Sequence, residues 1–264
     1  MSNTKQSQPP TLPPIAKRQL AWFTGYVRWF LRRNFHGLHL LNCAKLDQIR
    51  ALPLLVCLNH PSWWDPLIGL YLSQRFFPYR NHAAPIAAAG LAKYKFFERL
   101  GFFGIEADKW EGALRFLEIG NAVLSRADGA FWVTPQGTFA DVRQPVVLQP
   151  GIGHLARKAQ GFAMLPVALE YSFWNERYPE VFACFGTPII GVGHAHTAAG
   201  WNAIFTHAIT DTVLTLSQKV QLRKADVFEP LLEGSAGVGG VYDLWRASIA
   251  RLRGKPWQAE HGAD

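Results

Sequence analysis

Leu54-Leu-Val-Cys-Leu-Asn-His-Pro-Ser-Trp-Trp-Asp65 is the stretch on which the reading of this chain turns. Its first five residues are apolar and have the length of a strand buried on both faces. They run directly into His60, and Pro61 takes an early-helix position. Asp65 follows His60 by five residues, about one and a half helical turns on, from where its carboxylate can fold back to the imidazole. A carboxylate on one ring nitrogen fixes the tautomer and stabilises the imidazolium, leaving the other nitrogen to take a proton from a hydroxyl. The segment therefore predicts a base and its orienter with no protein nucleophile. Ser62 lies outside a Gly-x-Ser-x-Gly elbow and reads as a turn or capping residue.

Outward from this stretch, short apolar runs alternate with longer helical patterns. Strands are expected at Leu54 to Leu58, Pro85 to Ala89, Gly104 to Ala107, Ala130 to Thr134, Met164 to Glu170 and Val181 to Phe185. Helices are expected at Pro66 to Gln74, Leu91 to Leu100, Trp110 to Ala127, Gly151 to Gln160, Trp201 to Lys224 and Val241 to Arg253. This order predicts an α/β fold, a single domain over residues 46 to 264 with a mixed, largely buried β-sheet flanked by helices. No internal repeat occurs. Gly234 to Gly240 reads as a connector, since no Gly-Lys-Ser or Gly-Lys-Thr follows it.

Two more strand ends carry polar chemistry. Ala130-Phe-Trp-Val-Thr-Pro-Gln-Gly-Thr138 is again a buried strand closing in a Pro/Gly turn, whose polar end should emerge where α/β folds place their sites. Its turn, at Gly137, offers backbone N–H groups to developing negative charge. Leu165-Pro-Val-Ala-Leu169 is a strand interrupted near its start by proline, which predicts an edge or strand-entry position.

The 264 residues are 49% hydrophobic and 17% charged, enough for a full core and too apolar for a disordered chain. Formal net charge is +8, and Lys5, Lys17, Arg18, Arg28, Arg32, Arg33 and Lys45 all precede the first acidic residue, Asp47. The basic character thus belongs to the N-terminus. Residues 1 to 14 are polar and proline-rich, lack the apolar stretch of a secretory signal, and read as a mobile tail. Over residues 15 to 45 the pattern is a basic amphipathic helical region, with helix from Ile15 to Leu41. Leu20, Phe23, Val27, Phe30 and Leu31 share one face, with Lys17, Arg18, Arg28 and Arg32 beside it and Trp22, Tyr26 and Trp29 at its margins. That separation suits a helix lying in a membrane interface, with Lys17, Arg18, Trp22, Arg28, Trp29, Arg32 and Arg33 meeting lipid headgroups. An amphipathic helix packed on the domain has the same pattern.

Other function classes fit less well. No segment has the roughly 20 uncharged apolar residues of a membrane span, so attachment is expected to be peripheral. Three cysteines, an odd number without a C-x-x-C pair, indicate neither a disulfide framework nor a zinc site and fit a reducing compartment. No metal is expected: His194-Ala-His196 lacks a nearby third ligand. Gly151-Ile-Gly153 lacks the rest of a dinucleotide site and reads as a helix entry. Nucleic acid is not expected as a partner, because apolar residues interleave the basic stripe and no nucleic-acid motif is present.

At these residues the chain resembles the glycerolipid acyltransferase family, the lysophosphatidic acid acyltransferases and relatives that share a His-x4-Asp motif. Asn59-His60-Pro61-Ser62-Trp63-Trp64-Asp65 is similar to the family's first motif, N-H-x-S-x-x-D. Phe103-Gly-Ile-Glu-Ala-Asp-Lys109 resembles the second, commonly ending Ile-Asp-Arg. Thr134-Pro-Gln-Gly-Thr138 resembles the third, F-P-E-G-T-R, and Leu165 to Ala168 the fourth, V-P-V. The ordered set spans residues 54 to 169, and the resemblance covers roughly residues 40 to 215.

The resemblance implies transfer of a fatty acyl group from a coenzyme A or acyl-carrier-protein thioester to a lipid hydroxyl, by default that of a lysophospholipid. No cofactor is called for beyond that thioester co-substrate. His60 and Asp65 are the implied catalytic pair; Lys109, Gln136, Gly137, Thr138 and Arg143 are the substrate-binding candidates. An apolar groove should lead from His60 to hold the acyl chain. The implied location is the cytoplasmic face of a membrane. Three positions depart from the family: Gln136 stands where glutamate is usual, Phe139 where arginine is usual, and Lys109 where the second motif has arginine. In the family these positions are associated with the acceptor's glycerol phosphate. An amide and a ring in place of a carboxylate and a bidentate cation weaken phosphate recognition there, with Arg143 or Lys109 as substitutes, and admit a non-phosphorylated or glycosylated acceptor. The alternative is a non-catalytic lipid- or membrane-binding protein on the same fold.

Overall fold

Leu54–Leu58 (β2) is buried along its whole length, as a run without polar alternation requires, because strands flank it on both sides and helices cover both faces. The computed structural model describes residues 12–42 and 44–235. Its remaining strands are Gly37–Asn42 (β1), Asn81–Ala87 (β3), Phe102–Ile105 (β4), Gly129–Val133 (β5), Phe162–Ser172 (β6), Glu180–Phe185 (β7), Ile189–Gly191 (β8) and Glu229–Glu233 (β9). Helices are Lys17–Asn34 (α1), Asp65–Phe76 (α2), Ala88–Lys93 (α3), Trp110–Leu124 (α4), Gly151–Lys158 (α5) and Ala198–Gln221 (α6). The sheet runs β4-β3-β5-β2-β6-β7-β1-β9, with β8 pairing β6. The first five strands in that order are mutually parallel, and β7 is antiparallel to β6. The expected α/β domain with a mixed, largely buried sheet is therefore present.

Each face of the sheet buries its own core. Leu54, Val56, Leu165 and Val167 point to the face covered by α1 and α2, where Phe23, Val27, Leu31 and Ile68 close the packing. Leu55, Cys57, Met164 and Ala168 point to the other, beneath α4, α5 and α6. Because β2, β5 and β6 run parallel, their C-terminal ends open at one edge, and the segments after them converge there.

Several sequence readings need correction. The N-terminal helix stops at Asn34, and the expected helical residues 37 to 41 form β1, a strand between β7 and β9. Leu38 and Leu40 alternate onto the buried face, a period of two too short to stand out beside the helix, and Gly37 marks the break. Residues 12 to 14, expected in the tail, are docked: Pro14 O accepts a bond from Gly101 N, and Leu12 packs on the core. The Leu91 to Leu100 helix is instead α3 followed by a 3-10 turn over Lys95–Arg99, and the strand expected from Pro85 begins at Asn81. Pro166 lies neither at an edge nor at a strand entry but inside β6. It sits where β8 has ended and β7 has not begun: Met164 pairs with Ile189, Val167 with Phe185, and the Pro166 carbonyl accepts from Gly186. A missing N–H is harmless at such a break. The helix expected at Val241 to Arg253 and most of the Gly234 to Gly240 connector fall outside the described residues. Among the described residues no helix is long and apolar enough to cross a membrane, and no cluster of metal-ligating side chains occurs.

Candidate active site

Asn59, the residue after β2, ties the edge together before any chemistry begins. Its side chain donates to Leu169 O at 2.9 Å and accepts from Leu169 N at 2.7 Å, lacing the exit of β2 to β6 where the ladder would otherwise end. His60 is thereby presented from a fixed backbone. Its N–H donates to Gln136 Oε1 at 3.0 Å and its carbonyl accepts from Ala140 N at 2.9 Å, so both its backbone groups are held by the segment after β5.

The His60 Nδ1 lies 2.7 Å from Asp65 Oδ2. No helix lies between them, and Pro61 is not in an early-helix position: α2 starts at Asp65, and a turn closed by Asp65 N donating to Ser62 O brings the carboxylate back. Ser62 acts as the expected turn residue, its Oγ accepting from Trp64 N and its own N–H donating to Asp65 Oδ2 at 3.0 Å. Asp65 is 1% exposed, yet charged oxygen meets three donors, the third being the Tyr171 hydroxyl at 2.7 Å from Oδ1. Its place in the first turn of α2 adds the favourable end of the helix dipole. An ionised carboxylate so surrounded requires Nδ1 to carry the proton, leaving the lone pair on His60 Nε2. The imidazole is 16% exposed, and the Phe139 ring lies 4.4 Å from it, centroid to centroid. Tyr171 stays a neutral donor: burial, then the Asp65 charge, hold its hydroxyl well above the usual phenol range.

The remaining candidates are not all brought to this corner. Gln136 is buried and spends its carbonyl on His60 N, an orientation that turns its amide –NH2 away from that bond. Gly137 adopts φ +74°, which explains the glycine, but its N–H closes the turn on Thr134 O at 3.0 Å and is unavailable to a substrate. Thr138 and Phe139 are exposed at the mouth. Arg143 is 85% exposed and forks onto Asp141, with Nε and Nη2 each 2.7 Å from a carboxylate oxygen. That guanidinium holds the Asp141 carboxyl far below the usual range. Lys109 stands beyond β4, three strand positions from β2, about 14 Å at ordinary spacing, and pairs with Glu106 at 2.9 Å.

All seven interface candidates on α1, Lys17, Arg18, Trp22, Arg28, Trp29, Arg32 and Arg33, are exposed. The apolar face expected to meet lipid instead packs on the domain through Phe23, Val27 and Leu31. Aromatic contacts continue from the exposed side: Tyr26 stacks near Trp22 and Trp29, Phe30 lies 5.5 Å from Trp64, and Trp63 meets Trp64 at 5.5 Å. A cleft of about 630 Å³ lies between α6 and the end of β7, lined by Gly186, Ile189, Ile204, His207 and Thr212 among others. None of its lining residues belongs to the His60 corner, so it is not the expected acyl groove.

No family model and no curated protein matches the chain. The solved structures supply a likeness. The fold is similar to that of the 1-acyl-sn-glycerophosphate acyltransferase PlsC from Thermotoga maritima, with a TM-score of 0.54 and 14% sequence identity over 76% of this chain and 79% of that one. At this identity the likeness concerns the architecture: a mixed sheet with helices on both faces.

Sequence reasoning missed Tyr171 and the structural use of Asn59. The signal for Tyr171 was present, since Val167, Leu169 and Tyr171 alternate onto one face of β6. What the sequence did not carry is that β6 outruns β2 and so passes beside Asp65.

Proposed function

We propose that this protein is a peripheral membrane acyltransferase that moves a fatty acyl group from a coenzyme A or acyl-carrier-protein thioester to a lipid hydroxyl. The observation that carries the reading is the 2.7 Å contact between His60 Nδ1 and an Asp65 carboxylate held by two further donors. That arrangement leaves the Nε2 lone pair to act as the base, and the neighbouring Ser62 is engaged in the turn, its Oγ accepting from Trp64 N.

In the proposed step, His60 Nε2 accepts the proton of the lipid hydroxyl as its oxygen attacks the thioester carbonyl. The tetrahedral intermediate collapses with loss of the thiolate, which takes the proton back from His60. Asp65 stabilises the imidazolium meanwhile. The N–H groups of Thr138 and Phe139, which meet no acceptor among the described residues, are the turn's remaining donors for the oxyanion.

The default acceptor is a lysophospholipid. An acceptor without a phosphate monoester is favoured by one observation: Arg143 and Lys109, the candidate phosphate cations, are each paired with a carboxylate, and Phe139 occupies the mouth. Membrane seating is supported by the exposed Trp22 and Trp29, at 67% and 56%, beside the arginines of α1. The cytoplasmic leaflet, where anionic lipid is concentrated, is the proposed location. The test is acyl transfer from a labelled thioester to phosphorylated and unphosphorylated lipid acceptors of matched chain length. Transfer that disappears in His60→Ala supports the reading. Binding of the lipids with no transfer to any of them, and no thiol release, would favour the non-catalytic alternative.

A further inference from the structure

We infer that Tyr171 is a positioning residue for the base, holding the Asp65 carboxylate in the orientation that receives His60 Nδ1. The inference rests on the acyltransfer reading for its effect on rate, and on geometry alone for its effect on the imidazole. Three groups fix Asp65: His60 Nδ1 and Ser62 N share Oδ2, and Tyr171 alone takes Oδ1. Without the phenol, Oδ1 would be a buried charged oxygen with no donor among the described residues, and the carboxylate could rotate about its last bond to exchange the two oxygens.

The phenol is itself placed by packing. Phe35, at the end of α1, lies 6.0 Å from the Tyr171 ring and 5.1 Å from Trp64, the residue before Asp65. Tyr171 therefore reaches Asp65 from β6 while Trp64 reaches the same aromatic cluster from the start of α2. Tilted and edge-on ring contacts thus hold this hydroxyl against the oxygen that the dyad leaves over. The phenol spreads the carboxylate charge, and its removal concentrates that charge on the His60 side.

Tyr171→Phe keeps the ring and its packing and removes only the oxygen. We expect kcat for acyl transfer to fall about tenfold with KM for both substrates unchanged, and the acid limb of the rate profile to change. In an Asp65→Asn background the same substitution should have no further effect on kcat, since the two act as one unit. Independently of activity, the downfield proton resonance of the His60 Nδ1–H, assigned by its absence in His60→Ala, should shift or broaden in Tyr171→Phe. An unchanged resonance together with unchanged kcat and profile, with only thermal stability altered, overturns the inference. Absence of His60-dependent transfer in the unsubstituted protein, with the resonance still moved by Tyr171→Phe, would refute the acyltransfer reading and leave the positioning role standing.

Discussion

Two histidines on neighbouring parts of the sheet differ in what their second nitrogen meets. His82, on β3, is half-buried and spends both: Nε2 contacts Phe77 O at 2.8 Å, and Nδ1 accepts from Trp132 Nε1 at 2.9 Å. His60, past the end of β2, spends Nδ1 on Asp65 and keeps Nε2. Burial pushes His82 down to about 4 from its ordinary 6.5, a ring fixed neutral and used as a hinge pin between strand and helix. The same side chain becomes a base only when one nitrogen is backed by a charge and the other is left open. The chemical difference lies in position relative to strand ends, since His82 lies inside β3, in register with Ala130 of β5, whereas the chain at His60 has left its ladder.

The sharpest way to break this comparison is to remove each ring. His60→Ala should lower acyl transfer by about 10³-fold with little change in Tm, measured side by side with unsubstituted protein. His82→Ala should do the reverse. It leaves the Trp132 indole N–H without its acceptor and opens a cavity, so stability should fall by about 2–4 kcal/mol in denaturant titration, with the rate per folded molecule retained. Equal damage to both properties in both variants would erase the distinction.

Titration sharpens it further. Above pH 6.5 His82 is neutral folded and unfolded, and its contribution to stability is complete. As pH falls from 6.5 toward 4, the unfolded chain binds a proton that the folded chain refuses, so stability drops, in total by about 3 kcal/mol. This loss should vanish in a His82→Phe variant followed over the same range.

Smaller effects belong to the surface. Trp22→Ala with Trp29→Ala should weaken flotation with anionic vesicles about tenfold without altering transfer to a dispersed, water-soluble acceptor. Deleting α1 and β1 is a poor substitute for that test, since it removes Phe23, Val27 and Leu31 from the core and a strand from the sheet. Arg143→Ala should leave Tm unchanged, because its exposed pair with Asp141 is screened by water. A loss of acceptor affinity in that variant would instead assign Arg143 to the substrate.

Most of the architecture could be read from local pattern. Leu54 to Leu58, Ala130 to Val133 and Val181 to Phe185 are continuous apolar runs, and each is a buried strand. Short strands with non-local partners could not be read this way. Ile189–Gly191 and Glu229–Glu233 have no period long enough to register, and β1 was hidden by the helix before it. At the site, His60 and Asp65 were legible because only four residues separate them. Tyr171 stands 106 residues from the carboxylate it meets, and the pairings of Lys109 and Arg143 depend on side-chain directions that spacing does not encode.

β1, the earliest of the described strands, lies between β7 and β9, which come more than 130 residues later. About 190 residues separate the end of β1 from the end of β9, so on a ribosome adding about 5–20 residues per second the first strand waits roughly 10 to 40 s for its second neighbour. During that interval an exposed apolar strand hangs beside a basic, tryptophan-bearing helix whose own burial surface has not yet been made. Such high contact order slows closure of the sheet. Biogenesis of this protein would therefore depend on whatever shields its first 42 residues, a chaperone or the lipid surface itself, before the chain is complete.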